Sequence, residues 1–112
     1  MKTSELIGPA LDWAVAECEG KNNILPTIDH WLRKNYTPSS DWAQGGPIIE
    51  KECIQTWKDG FSTDWLASAY RDSVIDRACA YDTGATLLIA AMRCYVASKL
   101  GHEIEIPQLC ES

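Results

Sequence analysis

The run Thr86-Leu87-Leu88-Ile89-Ala90-Ala91-Met92-Arg93-Cys94-Tyr95-Val96-Ala97-Ser98-Lys99-Leu100-Gly101 decides the reading of the fold. Wound as a helix, it is apolar on almost every side, and a glycine stands where the helix would end. A helix apolar all round must be covered all round, so this run predicts the central helix of the fold. One charge interrupts its middle. Arg93 shares an angular sector with Ile89 and Leu100 rather than lying on a polar stripe. A guanidinium in that position needs an anion, either a carboxylate of the same fold or an anionic group of a ligand or partner.

Working outward, Gly8-Pro9 followed by Ala10, Leu11, Ala14, Val15 and Cys18 predicts a first helix over about 9–19. Proline suits its first position and Gly20 lies past its end. Ile7, Leu11, Ala14 and Cys18 fall on one stripe, expected to face the core. Between the helices, Cys53 to Trp57, a Lys58-Asp59-Gly60 turn, Phe61 to Tyr70, an Arg71-Asp72-Ser73 turn and Val74 to Tyr81 suggest an antiparallel meander. Helix competes for 64–81, where alanine is frequent. Gly45-Gly46-Pro47 looks like a turn feeding a short helix or extended segment at Ile48-Ile49-Glu50. Residues 28–33 could be one helical turn or a short strand, and Glu103-Ile104-Glu105-Ile106 before Pro107 alternates like an edge strand. The expectation is an α+β fold in one domain, 1–112: a small antiparallel meander packed against two main helices, about 9–19 and 86–100.

Composition bounds the function. With 112 residues, 46% apolar and 23% charged, the chain has ordinary globular usage and can bury a core without staples. A net charge of -6 opposes a phosphate backbone, so duplex DNA is not an expected partner; local basic patches such as Arg33-Lys34 oppose that average, though two such residues more often make a solvated surface. No apolar run approaches the roughly 20 residues of a membrane span, and Met1 to Glu5 lacks the apolar core of a signal peptide. The expected location is the cytoplasm, with no membrane partner. Cys18, Cys53, Cys79, Cys94 and Cys110 are odd in number and widely spaced, which reads as reduced core thiols.

Candidate sites are few. Ser39-Ser40-Asp41-Trp42-Ala43-Gln44-Gly45-Gly46-Pro47 gathers hydroxyls, a carboxylate, an aromatic ring, an amide and two sterically open glycines. Such a segment can stack a planar ring and hydrogen-bond its edge or a phosphate, or it can be a structural turn with tryptophan as a lid. Trp13, Trp31, Trp42, Trp57 and Trp65 are many for this length; most are expected in the core. Asp72 and Asp76 share a face in either secondary structure, as paired carboxylates or as a solvated acidic face. His30 and His102 sit in no metal-binding pattern, and no phosphate-loop, dinucleotide or catalytic-triad motif occurs. No metal, cofactor or catalytic residue is expected.

Three stretches together resemble the NinX-type family of small lambdoid phage and prophage proteins. They are residues 2–6 with 10–16, Tyr36 through Glu50, and Leu88 through Gly101; the wording is most specific over Asp41 to Pro47 and in the last helix. Residues 21–35 and 51–84 match no fixed pattern, and Pro9 stands where a small helix-forming residue is expected. The resemblance implies phage origin, expression in the cytoplasm of an infected bacterium and a setting of accessory genes near recombination and late regulation, with no particular activity. It joins the two segments singled out above. Tyr36, Asp41, Trp42, Gln44, Gly45, Gly46, Arg93 and Tyr95 are therefore expected to form one ligand pocket, with Trp42 stacking a ring and Arg93 pairing with an anion. The expected function is non-enzymatic: an anti-defence sponge, as a homo-oligomer, sequestering a small nucleotide-like host signal. The alternative is an adaptor binding a host or phage recombination or replication protein.

Overall fold

The computed structural model describes residues 2–20, 36–58, 60, 63–70 and 79–104. After a 3-10 turn at Thr3–Glu5 come α1 (Gly8–Cys18), α2 (Trp42–Lys51), β1 (Gln55–Lys58), β2 (Trp65–Tyr70), β3 (Cys79–Gly84) and α3 (Leu87–Leu100). The strands form an antiparallel sheet in the order β1-β2-β3, with Thr56 opposite Ala67 and Ala67 opposite Asp82. The α+β expectation holds. Several expectations fall outside the described residues: the 28–33 element, Trp31, His30, the Arg33-Lys34 patch, the turn at 71–73, the Asp72/Asp76 pair, residues 74–78, the tail from 105, and the side chains of Cys79 and Cys110.

α3 is central because its sequence leaves it no other place. It packs against all three strands, α1, α2 and the N-terminal turn, and Ala90, Ala91, Met92, Cys94 and Val96 are fully buried. Thr86 caps it, its Oγ1 accepting from the Ile89 N–H at 3.1 Å, and Gly101 ends it at φ 90°, a conformation that favours glycine. Of the alanines that made 64–81 ambiguous, Ala67 and Ala69 belong to β2 and Ala80 to β3, while Ala78 lies outside the described residues. Ala67 and Ala69 alternate onto the core side, where small side chains let the sheet approach the alanine-rich face of α3. Strand pairing outweighs the helix preference of isolated alanines.

Three local readings are corrected. Ile7 is exposed while Leu6 is fully buried. Ile7 is the extended residue before α1, at φ -152°, so the helical stripe does not extend to it. Cys53 is exposed rather than a core thiol. It ends α2 at φ 52°: its N–H bonds Glu50 O at 3.3 Å and the next N–H, of Ile54, bonds Ile49 O at 3.1 Å. Finally, α2 starts at Trp42, not after Gly46, and holds Pro47 inside it. Asp41 caps it by accepting from the Ala43 N–H at 3.0 Å and from Gln44 Nε2 at 2.9 Å, an Asp-x-x-Gln capping arrangement written in the sequence. That cap and the burial of Gly45 and Ile48 offset the weak helix propensity of Gly45-Gly46-Pro47.

Of the tryptophans, Trp13 and Trp65 pack on the core, whereas Trp42 and Trp57 are 57% and 40% exposed. Trp42 opens α2 at its exposed start, and Trp57, opposite Leu66, alternates onto the sheet face away from α3.

The segment leading into α2 is fastened to α1 by a buried carboxylate. Asp12 Oδ1 accepts from the Ser39 N–H at 2.9 Å. Burial raises the Asp12 pKa above its ordinary value, and the bonds from Ser39 only partly oppose it. A carboxyl raised on folding contributes most below its unfolded pKa, and the contribution is lost as pH rises through the folded value. Asp12→Asn keeps the acceptor and removes the charge. It should raise the melting temperature at pH 7, with the gain vanishing as pH is brought below the ordinary aspartate range; calorimetry of both proteins across pH 3 to 8 checks this.

Candidate functional site

A cleft of about 400 Å³ opens where the end of α1 meets α2. α2 supplies one wall because Ala43, Pro47 and Lys51 recur every four residues along one side of a helix, with Gln44 and Ile48 beside them. Tyr36 and Glu19, the residue that ends α1, line it as well. Among the described residues, the walls are an aromatic ring, three apolar side chains, an amide and one ion pair.

The polar groups are fixed in different degrees. Gln44 is held by its own segment: its Oε1 accepts from the Thr37 N–H at 2.9 Å while its Nε2 donates to Asp41. Glu19 accepts from Lys51 Nζ at 3.0 Å on both oxygens and from the Tyr95 hydroxyl at 3.2 Å on Oε1. The Glu19 side chain is 15% exposed and that of Lys51 55%. Lys51 is the exposed partner of this pair, so its ammonium stays hydrated when it leaves Glu19, which the Tyr95 hydroxyl continues to hold.

Burial, then the Glu19 charge, raises the pKa of both Tyr36 and Tyr95, so their hydroxyls stay protonated over the ordinary pH range. Cys18 is pushed up to about 12 by burial and next by Glu19, so it is no thiolate nucleophile at neutral pH. The cleft offers an anionic acceptor, a movable cation and a stacking surface, which is the chemistry of binding. Among the described residues, no group of His, Cys, Asp or Glu is placed to hold a metal ion.

The structure brings together some of the residues expected in one pocket and separates others. Tyr36 and Gln44 line the cleft, and Tyr95 reaches it through Glu19. Asp41 stands beside it as the α2 cap. Gly45 is buried and its backbone is in contact with Pro38 and Leu88, so it serves packing rather than phosphate binding. Gly46 and the exposed Trp42 lie together on the outer side of α2, where a Cβ on Gly46 would be 3.9 Å from the indole. Arg93 is elsewhere. Leu88, against Gly45, and Tyr95, against Glu19, are two turns apart on one side of α3, and Arg93 lies about 200° around the helix from Tyr95. Its Nε donates to Leu6 O at 2.7 Å and its Nη1 to Thr83 O at 2.8 Å, while its charge lowers the pKa of Asp82 against the larger effect of burial. The expected stacking of Trp42 with anion pairing at Arg93 is therefore not one site.

Glu19 and Lys51 were missed. They are 32 positions apart and no local spacing links them; the only signal was that each stands at the end of a helix.

Residues 2–99 match the model of a protein family described as Bacteriophage P22, NinX. A search of curated proteins finds no match. Among the described residues, no helix is long and apolar enough to cross a membrane.

Proposed function

Because the chain belongs to the bacteriophage P22 NinX family and is a phage accessory protein, we propose that it acts without catalysis, by holding a small nucleotide-like molecule in the cleft between α1 and α2. The cleft is the observation that carries this reading. Its volume of about 400 Å³ falls within the range of small-molecule sites. Tyr36 and Pro47 offer flat surfaces for a ring, and Lys51 offers a cation that can leave Glu19 for a phosphate. In an infected cell such a protein would act by occupancy, lowering the free concentration of a host signal.

The test is a thermal-shift screen with linear and cyclic mono-, di- and trinucleotides and ADP-ribose derivatives. A ligand at a hundred times its dissociation constant adds about 2.7 kcal/mol, on the order of 10 °C for a domain of this size. Ala43→Trp, at an exposed position on the cleft wall, should fold normally and lose the response. A flat screen would shift the reading to a protein-binding adaptor. The observation favouring that second reading is the 57% exposed Trp42, placed beside Gly46 where little shields it.

A further inference from the structure

Resting on the nucleotide-binding reading above, we infer that the cleft selects a guanine-type base, whose adjacent N1–H and exocyclic N2–H groups donate to the two oxygens of Glu19 once Lys51 swings aside. The inference starts from where the carboxylate points. Both Glu19 oxygens lie 3.0 Å from the same Lys51 nitrogen, so both face one spot, and Glu19 and Lys51 both line the cleft. The Tyr95 hydroxyl, raised in pKa and therefore a donor, holds Oε1 from the α3 side. Glu19 is thus a fixed, largely covered carboxylate, whereas Lys51 in front of it is more than half exposed and replaceable.

An ionised carboxylate only accepts hydrogen bonds. It welcomes a ligand edge made of donors and rejects one that presents a lone pair or a phosphate. Guanine offers two parallel N–H donors at the spacing of two carboxylate oxygens, the same fork that makes arginine–carboxylate pairs bidentate. Hypoxanthine keeps only one of them. Adenine and cytosine each place a ring-nitrogen acceptor beside the amino donor, and uracil flanks its single N–H with two carbonyls. The apolar walls from Ala43, Pro47 and Ile48 then meet the body of the base. The phosphate end is directed away from Glu19 toward the mouth, where the released Lys51 ammonium can meet it.

Isothermal titration of the purified protein with the 5′-monophosphates of guanosine, inosine and adenosine, and with the cyclic dinucleotides of guanine and adenine, tests this. Losing one hydrogen bond to a charged group costs a factor of roughly ten to a hundred. Guanine ligands should therefore bind more tightly than the inosine ligand by that factor, with adenine ligands weaker still. Glu19→Gln should bring the bases to within about threefold of one another. Lys51→Met, at an exposed position, should keep the guanine preference while reducing the advantage of guanosine 5′-monophosphate over phosphate-free guanosine. Equal binding of all bases by the natural protein, or a guanine preference that survives Glu19→Gln, overturns the inference and leaves the nucleotide reading standing. Absence of binding by every nucleotide overturns both.

Discussion

Gly45→Ala should lower the melting temperature by about 10 °C or more, while Gly46→Ala, one residue along the same helix, should change it by no more than a few degrees. Alanine in place of glycine favours a helix interior by roughly 1 kcal/mol, but at Gly46 the following Pro47 opposes that gain, because the proline Cδ crowds the Cβ of a helical residue before it. The surroundings decide the outcome. A Cβ at Gly45 would lie 2.4 Å from the Pro38 carbonyl oxygen and 2.7 Å from Leu88 Cδ2. The first contact is backbone and cannot rotate away, and the next residue along, Ser39, is fastened to Asp12. Opening that gap is an overpacking cost at or above the usual ~1–3 kcal/mol, so the propensity gain is overcome. At Gly46, apart from its chain neighbours and its own helix backbone, the nearest atom to an added Cβ is Trp42 Cε3 at 3.9 Å, ordinary contact. Thermal unfolding of the two variants side by side checks the prediction. The result bears on function, since Gly45 sets the distance of α2 from α3 and thereby the position of the cleft wall.

Arg93→Ala should cost about 3 kcal/mol of stability, measured by urea denaturation, and should leave ligand binding unchanged at temperatures where the variant is folded. The guanidinium joins Leu6, in the N-terminal segment, to Thr83, near the end of β3, by two short bonds from α3. Hydrogen bonds from a charged donor contribute roughly 1.5–3 kcal/mol each, less where solvent reaches them, as at Thr83. Arg93→Lys should recover only part of the loss, because one ammonium on a flexible stem cannot reproduce a planar fork aimed at two carbonyls. A variant that stays as stable as the natural protein but loses ligand binding would return Arg93 to the binding site. The geometry points the other way: the arginine expected to meet a ligand anion satisfies backbone acceptors of its own fold.

The same distinction runs through the rest of the molecule. The central helix was legible because an apolar circumference admits only one environment, and its limits were marked by Thr86 and Gly101, whose capping roles are local chemistry. α1 was legible from its stripe and from Pro9. The start of α2 was also written, in Asp41 and Gln44, but Gly45-Gly46-Pro47 argues for a turn on propensity alone, and a burial two segments away reverses it. The alanines of β2 show the limit of composition: alternation onto a helix and periodicity within a helix look alike when the side chains are this small.

What the sequence determined by itself was the α+β class, the buried helix at its centre and membership in a phage family, because all three follow from patterns within short stretches. The tertiary structure decided which charged groups meet. Glu19 and Lys51, 32 residues apart, share a cleft, whereas Arg93 and Tyr95, two residues apart, face opposite ways. A helix turns each residue by about 100° and a fold brings distant helix ends together, so proximity in a binding site is a property of packing that no local pattern encodes.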